Sequence, residues 1–529
     1  MVKLTKRSLL GGVPLMGAWG AVAGAGFAAP KATAASDGDA CQPKPPVRYD
    51  LPVAKGPFQP TPESLKTYQA PDWFRDAKFG IWSHWGPQAV PRVGDWYARN
   101  LYIPGHYHYN HHVKTYGQPS KFGYKDIIPL WKAEKFDPEG LMDLYAAAGA
   151  RYFVSMGVHH DNFDLWKSKH HKWNAVAMGP KRDIVGEWAA AARKRGLRFG
   201  VSEHLGASHN WFHPSHLYNQ TWPENGVAYD GADPQYADLY HPAHNEPYRG
   251  TADTWYTKDP AFHQIWYNRI QDLIDSYEPD LLYSDGGLPF GVVGRSLVAH
   301  MYNKSVARAG RNEAVYNGKD FGSGEFYREA FVQDVERGVL KGINPYPWQT
   351  CTSNGDWFYS DGFRYKTSTE VIHMLCDIVS KNGNLLMNVV QYPDGSLPPE
   401  SQTLLADLSA WMKVNGEAIH GTRPWTQFGE GPTEAAEGAF QEGTAYTAQD
   451  IRFTTRGMTL YAISLGKPEG RLAIQALGKN GKQARAVRQV RLLGTSKPCR
   501  FQQEAGALVI EVPQGASSTA SAFEITFRG

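Results

Sequence analysis

Pro279-Asp280-Leu281-Leu282-Tyr283-Ser284-Asp285-Gly286-Gly287 reads as a short strand that carries a carboxylate into a glycine turn. Its apolar run does not alternate, which is the pattern of a strand covered on both faces. The same kind of unit recurs at Phe79 to His84, Tyr152 to Val158, Leu197 to Glu203, Ala314 to Asn317, Trp348 to Cys351 and Leu385 to Val390. Helical patterns stand between several of these. One opens at Asp137-Pro138, where Asp can cap the free amides, puts Leu141, Leu144 and Tyr145 on one face, and stops at Gly149. A second runs from about Ile184 to Arg195 and ends at Gly196. A third, Thr369 to Ser380, carries a stripe of Val371, Ile372, Leu375, Ile378 and Val379 and ends at Asn382-Gly383. Strands alternating with helices from about Tyr68 to His420 predict a parallel α/β architecture. A (β/α) barrel of the TIM type is favoured over a doubly wound sheet, because polar residues recur at the strand C-termini: His84, His159-His160, Glu203-His204, Asp285 and Asn317. Barrel enzymes place their chemistry at that face.

After Trp425 the pattern changes to short alternating strands with Gly-rich turns, among them Ile451 to Thr454, Thr459 to Ser464, Val487 to Leu492, Ala507 to Val512 and Ala522 to Phe527. That predicts a small C-terminal β-sandwich. The assignment is therefore a signal peptide at residues 1–35, an extended leader wrapping onto the domain at 36–64, the catalytic barrel at 65–425 and the sandwich at 426–529. The sandwich reads as a structural cover for the barrel before it reads as a lectin-like module. At the other end, Lys3, Lys6 and Arg7 precede an uncharged Gly-rich stretch and then Ala32-Thr33-Ala34-Ala35. Positive, apolar, then small residues is the order of an export signal. Thr5-Lys6-Arg7-Ser8-Leu9-Leu10 resembles a twin-arginine signal with Lys for the first Arg, so export to the periplasm or the exterior is expected. No run is apolar and long enough to anchor the chain in a bilayer.

The chain has 529 residues, with 55 Lys+Arg against 52 Asp+Glu, a net charge of +3. That balance does not point to nucleic acid or to a membrane surface. Four cysteines, Cys41, Cys351, Cys376 and Cys499, lack metal-ligand or redox spacing and are expected as free thiols, with one bridge left open. The distinctive composition is aromatic: 17 Trp, 28 Tyr and 23 Phe, which suit a large core and also a site that stacks on sugar rings.

Asp285 could simply cap the next helix. Glycoside hydrolysis would need it together with a second carboxylate, and Glu325, Glu329 and Glu336 all lie downstream in the polar, aromatic stretch Phe321 to Trp348. Spacing alone does not choose among them. His159-His160-Asp161 with Glu203 and His204 can be read as a metal site, but no His-x-x-x-His helix supports it, and neutral imidazoles suit sugar hydroxyls. No metal and no cofactor are expected. The run His106-Tyr107-His108-Tyr109-Asn110-His111-His112 reads as a loop, substrate-facing or solvated.

These residues together resemble a family. Trp73-Phe74-Arg75-Asp76-Ala77-Lys78-Phe79-Gly80-Ile81-Trp82-Ser83-His84-Trp85-Gly86 is similar to the opening strand of the α-L-fucosidases, glycoside hydrolase family 29. Asp95-Trp96-Tyr97 resembles that family's Glu-Trp-Tyr element, and His159-His160-Asp161-Asn162-Phe163-Asp164-Leu165-Trp166 its His-His-Asp-Gly-Phe-x-Leu-Trp run. Gly179 to Gly186 and Val379 to Val389 resemble two further signatures in the right order, so the resemblance covers roughly residues 60–425 and extends to the β-domain that follows. It implies a secreted retaining exo-glycosidase that acts on fucosylated glycans. In it Asp285 is the nucleophile and Glu336 the acid/base, with Glu329 the fallback. His84, His159, His160 and Trp96 hold the sugar, and Tyr283 stands near its C5 methyl group in place of a commoner Trp. Three departures, Ser202-Glu203-His204, Asn317-Gly318-Lys319 and Asp95, bring Glu203, Lys319 and Asp95 into the expected substrate contacts. Two alternatives remain open on the sequence: the same mechanism on an α-L-galactoside, and a non-catalytic carbohydrate-binding protein.

Overall fold

The structure, a computed structural model, describes residues 47–219, 226–481 and 485–528. The residues read as the signal peptide, and Cys41, lie outside them. Eight parallel strands, β1 (Phe79–Ser83), β2 (Tyr152–Val158), β3 (Arg198–Glu203), β4 (Leu281–Ser284), β5 (Val315–Lys319), β6 (Val332–Asp334), β7 (Trp348–Ser353) and β8 (Gly383–Asn388), close into a barrel in chain order. β8 pairs back onto β1, with Ile81 opposite Met387. The unalternating apolar runs are explained by burial on both faces: all residues of β2 and β4 are buried. Inside, polar side chains are paired, as Tyr152 Oη donates to Gln349 Oε1 at 2.9 Å across the lumen.

Helices α1 (Pro138–Ala147), α2 (Ile184–Lys194), α3 (Pro260–Tyr277), α4 (Val292–Ala309), α5 (Ser368–Ser380) and α6 (Pro399–Asn415) form the outer layer. The Asp137 carboxylate caps α1 by accepting from Gly140 N at 3.0 Å. The expected face of α1 is rotated: Leu144 is 45% exposed, while Met142 is buried beside Leu141 and Tyr145. Met142 lies about 100° around the helix from Leu141 and on the Tyr145 side, so the buried stripe centres there. α5 is closed by a capping box, Thr367 Oγ1 accepting from Glu370 N while Glu370 accepts from Thr367 N.

Two differences from the expected strands matter to the site. β5 runs on to Lys319, which places that side chain at the barrel mouth. β6, absent from the sequence reading, is three residues long inside a polar stretch, too short to show a period. Among the described residues no helix separates β5 from β6 or β6 from β7.

The leader from Tyr49 runs across α3 and α4. Its amides are satisfied by side chains: Asp50 N donates to Gln264 Oε1 (2.8 Å), Ala54 N to His300 Nδ1 (3.1 Å) and Phe58 N to Asn303 Oδ1 (2.9 Å). At the C-terminal end lie β9 (Arg423–Glu430), β10 (Ile451–Arg456), β11 (Thr459–Ser464), β12 (Arg471–Ile474), β13 (Val487–Leu492), β14 (Phe501–Gln503), β15 (Leu508–Glu511) and β16 (Ser521–Phe527). They make a five-stranded antiparallel sheet, β9-β10-β11-β16-β13, and a three-stranded one, β12-β15-β14. Both share one core that includes Phe453, Val490, Phe523, Ile474 and Ile510, which makes this a sandwich. It packs on α5 through a buried ion triad, Asp377 accepting from Arg452 Nε at 2.6 Å and from Lys381 Nζ at 2.7 Å. Removing one partner of such a triad leaves an uncompensated buried charge. Cys351, Cys376 and Cys499 are buried free thiols, and no described helix is long and apolar enough to cross a membrane.

Candidate active site

Seven of the eight barrel strands deliver a residue to one mouth. His84 follows β1, and its amide donates to Asn388 Oδ1, at the end of β8, at 2.9 Å. His159 and His160 follow β2, His204 follows β3, Asp285 follows β4, Lys319 ends β5 and Glu336 lies two residues beyond β6. The turn after Asp285 requires glycine: Gly286 has φ +149°, and a Cβ there would stand 2.2 Å from Tyr256 Oη. The Asp285 carbonyl accepts from Trp255 Nε1 at 2.8 Å, which fixes the start of that turn.

These side chains line a cavity of about 390 Å³. His84, Asp95, Trp96, His159, His160, Tyr283, Asp285, Lys319 and Glu336 all face it. Of the three candidate glutamates only Glu336 does. Glu325 pairs with Arg295, and Glu329 is exposed on the outer surface.

Glu203 is a correction. It was expected among the substrate contacts, but it is absent from the cavity wall. Its carboxylate accepts from Ser284 Oγ, from Trp266 Nε1 at 3.1 Å and from Gly206 N at 3.3 Å. Side chains alternate along a strand. Ser202 points into the barrel, where Trp82 Nε1 donates to its Oγ at 3.1 Å, so Glu203 points outward and His204 takes the cavity place. Burial raises the Glu203 carboxyl to about 7 from an ordinary 4.5. In that window the native state keeps a proton that the unfolded chain releases, so stability falls as pH rises through it. Glu203→Gln cannot lose a proton. The pH 5 to pH 7.5 loss in unfolding free energy is expected to shrink by about 2 kcal/mol in the variant. Denaturant curves at the two pH values measure it, and equal pH slopes in both proteins would contradict it.

The His106–His112 run is also corrected. His106 is the N-cap and the rest lies in the helix Tyr107–Thr115 rather than a loop, and none of it reaches the cavity. His108 Nε2 and His112 Nε2 instead bond the carbonyls of Val93 (2.9 Å) and Phe122 (2.7 Å), which gives these imidazoles a structural task.

The centre of the cavity is one ammonium between two carboxylates. Lys319 Nζ donates to Asp285 Oδ1 and, at 2.5 Å, to Glu336 Oε2. Burial opposes the Lys319 charge, but Asp285 and Glu336 outweigh it and hold its pKa well above the ordinary value. Burial likewise opposes the Asp285 charge, yet the Lys319 charge and the hydrogen bond from His160 hold that carboxyl well below the usual range. Asp95 is shifted the other way, raised by burial and then by Asp356. Burial lowers His84 to about 3 and puts His159 and His204 well below 6.5, so these imidazoles are neutral.

A neutral imidazole offers one donor and one acceptor. Gln88 Oε1 accepts from Ala98 N at 3.2 Å, so its amide nitrogen faces His159 Nδ1 at 2.8 Å and donates. His159 therefore carries its proton on Nε2, toward the cavity. His84 Nδ1 and both nitrogens of His204 are buried without a hydrogen-bond partner. Each such atom costs about 1–3 kcal/mol until a ligand bonds it.

The trios His84/His159/His204 and His160/His204/Asp285 bring their ligating atoms close enough for a metal ion. In the first, the His159 tautomer presents a donor where a metal needs a lone pair. In the second, Lys319 already occupies Asp285 with a positive charge. The donor set fits hydroxyl groups better than a cation.

Trp255, Trp357, Tyr248 and Phe440, all on the cavity wall, carry no motif in the sequence, and His204, a strand-end residue there, joins them. Trp357 and Tyr248 sit in loops without a motif, and Phe440 comes from the segment between β9 and β10.

An imidazole-rich pocket with paired acids at the C-terminal mouth of a closed parallel barrel places the protein among the barrel glycoside hydrolases. Residues 48–417 match the sequence profile of the α-L-fucosidases and residues 444–528 that of the α-L-fucosidase C-terminal domain. A plasma α-L-fucosidase of Pongo abelii is 31% identical over 485 residues, covering 86% of this chain and 89% of that one. Two Thermotoga maritima α-fucosidase structures superpose well. The complex with fucose has a TM-score of 0.69 at 27% identity, covering 88% and 99% of the two chains. The complex with a mechanism-based inhibitor has 0.70 at 28%, covering 89% and 100%. The chain belongs to the α-L-fucosidase family.

Proposed function

We propose that the protein hydrolyses terminal α-L-fucosides of glycans by a retaining double displacement. The observation that carries the mechanism is the ammonium bridge. Two oxygens held by one Lys319 Nζ lie no further apart than two charge-assisted hydrogen bonds, about 5.5 Å. That fits the roughly 5–5.5 Å between carboxyl groups in retaining enzymes better than the roughly 6.5–9.5 Å of inverting ones, which must admit a water. Asp285, ionised and open to the cavity, attacks the anomeric carbon as the glycosidic bond breaks. Glu336, as the general acid, passes a proton to the departing oxygen. It then takes one from the water that cleaves the fucosyl ester and releases α-L-fucose. The unpartnered nitrogens of His84 and His204 and the Nε2–H of His159 supply bonds to the sugar hydroxyls, which a merely structural pocket would not leave open. Monitoring the first-formed anomer by NMR tests the reading: α-fucose supports it, β-fucose defeats it.

Lys319→Met removes the cation that stabilises Asp285. The expected kcat/KM is lower by about 10²-fold, and its acidic limb moves to higher pH, because Asp285 without Lys319 binds its proton more tightly. A pH–rate profile with an unmoved acidic limb would count against it.

The reading of residues 1–35 as an export signal supports a site of action outside the cytoplasm. Fusing residues 1–40 to a reporter that responds only to twin-arginine export tests the route, and absence of export would remove it.

A further inference from the structure

The loop that carries Glu336 is paired with a segment from the far side of β9. Val339 N donates to Gly438 O at 3.1 Å and Gly438 N returns to Val339 O at 2.8 Å. Phe440 N donates to the carbonyl of Glu336 itself at 3.0 Å, and Glu442 N to the carbonyl of Arg337 at 3.1 Å. The Glu442 carboxylate anchors the far end, accepting from Lys366 Nζ at 2.9 Å and Thr352 Oγ1 at 2.5 Å. At the centre of this added edge stands Phe440. It is 61% exposed, has φ +59° and lines the cavity. An aromatic residue held in the left-handed region and left open to water costs free energy twice, and the fold itself gains no packing from it. Phe321, 42% exposed, lines the same cavity, its ring centroid 5.4 Å from Lys319 Nζ.

We infer that Phe440, with Phe321, forms the subsite for the sugar to which fucose is linked. The ligand class is a pyranoside that lays a C–H face on the rings. Glu336 gives its proton to the glycosidic oxygen, so the leaving sugar departs on the Glu336 side of the cavity. Phe440 is one backbone hydrogen bond from that residue. The wall then divides by chemistry: unpartnered imidazole nitrogens bond the hydroxyls of the fucosyl ring, and exposed aromatic faces meet its neighbour. The subsite makes the segment before β10 a determinant of which glycans are cut, and it rests on Glu336 being the acid.

The test compares α-L-fucosyl fluoride, which has no second ring, with a fucosylated disaccharide. In Phe440→Ala the ratio of kcat/KM for disaccharide to that for fluoride is expected to fall about tenfold, the scale of one lost stacking contact, and Phe440→Trp is expected to restore it. An unchanged ratio in Phe440→Ala, whether both rates hold or both fall together, overturns the subsite. Glu336→Ala is run alongside: loss of the disaccharide rate with survival of the fluoride rate upholds the acid assignment, whereas equal loss of both overturns that assignment and leaves the Phe440 ratio separately readable.

Discussion

Asp285→Ala is expected to lower kcat for an aryl α-L-fucoside by roughly 10⁴-fold, the scale seen when a covalent nucleophile is removed. The side chain is ionised and half-buried, held by Lys319 and by His160 Nε2 at 3.2 Å, and backed by Trp255 on its carbonyl. No neighbour can take its place, since Glu336 lies across the ammonium and Glu203 points out of the barrel. The variant leaves a space where the carboxylate stood. Added azide should enter it and restore turnover, giving a fucosyl azide of β configuration by a single inversion. Near wild-type turnover, or an azide product of α configuration, would refute the assignment.

Glu336→Ala is expected to show a second pattern. For a substrate with a poor leaving group, the first step loses its proton donor and kcat/KM falls by about 10³-fold. For an activated aryl fucoside whose oxygen leaves without help, the first step survives, and the slow step becomes release of fucose from Asp285. Azide then attacks the fucosyl ester, and two inversions give the α product. The two variants thus predict azides of opposite configuration. A loss in Glu336→Ala that does not depend on the leaving group would exclude it as the acid.

Much of this site was legible along the chain, because each motif is continuous. Trp82 to His84, His159-His160 and Asp285 each sit where a strand ends, and a strand C-terminus in a barrel is a fixed address. The choice among Glu325, Glu329 and Glu336 was not legible. It depends on a three-residue strand, Val332–Asp334, that shows no period and carries its polar chain inward by pairing with its neighbours. Glu203 was misplaced for a related reason. Its motif position was right, but the alternation that turns it outward is set by Ser202, whose partner Trp82 lies 120 positions earlier.

By itself the sequence determined the barrel class, the sandwich that follows it, and the strand-end residues His84, His159, His160 and Asp285 that line the cavity. Those features follow from local patterns: apolar runs, caps and short motifs, each read within a few residues. Only the tertiary structure decided that Lys319 joins the two acids, that His204 rather than Glu203 faces the cavity, and that Phe440 reaches the mouth. These three depend on residues brought together across the barrel, where burial and charge act through space and leave no periodic trace along the chain.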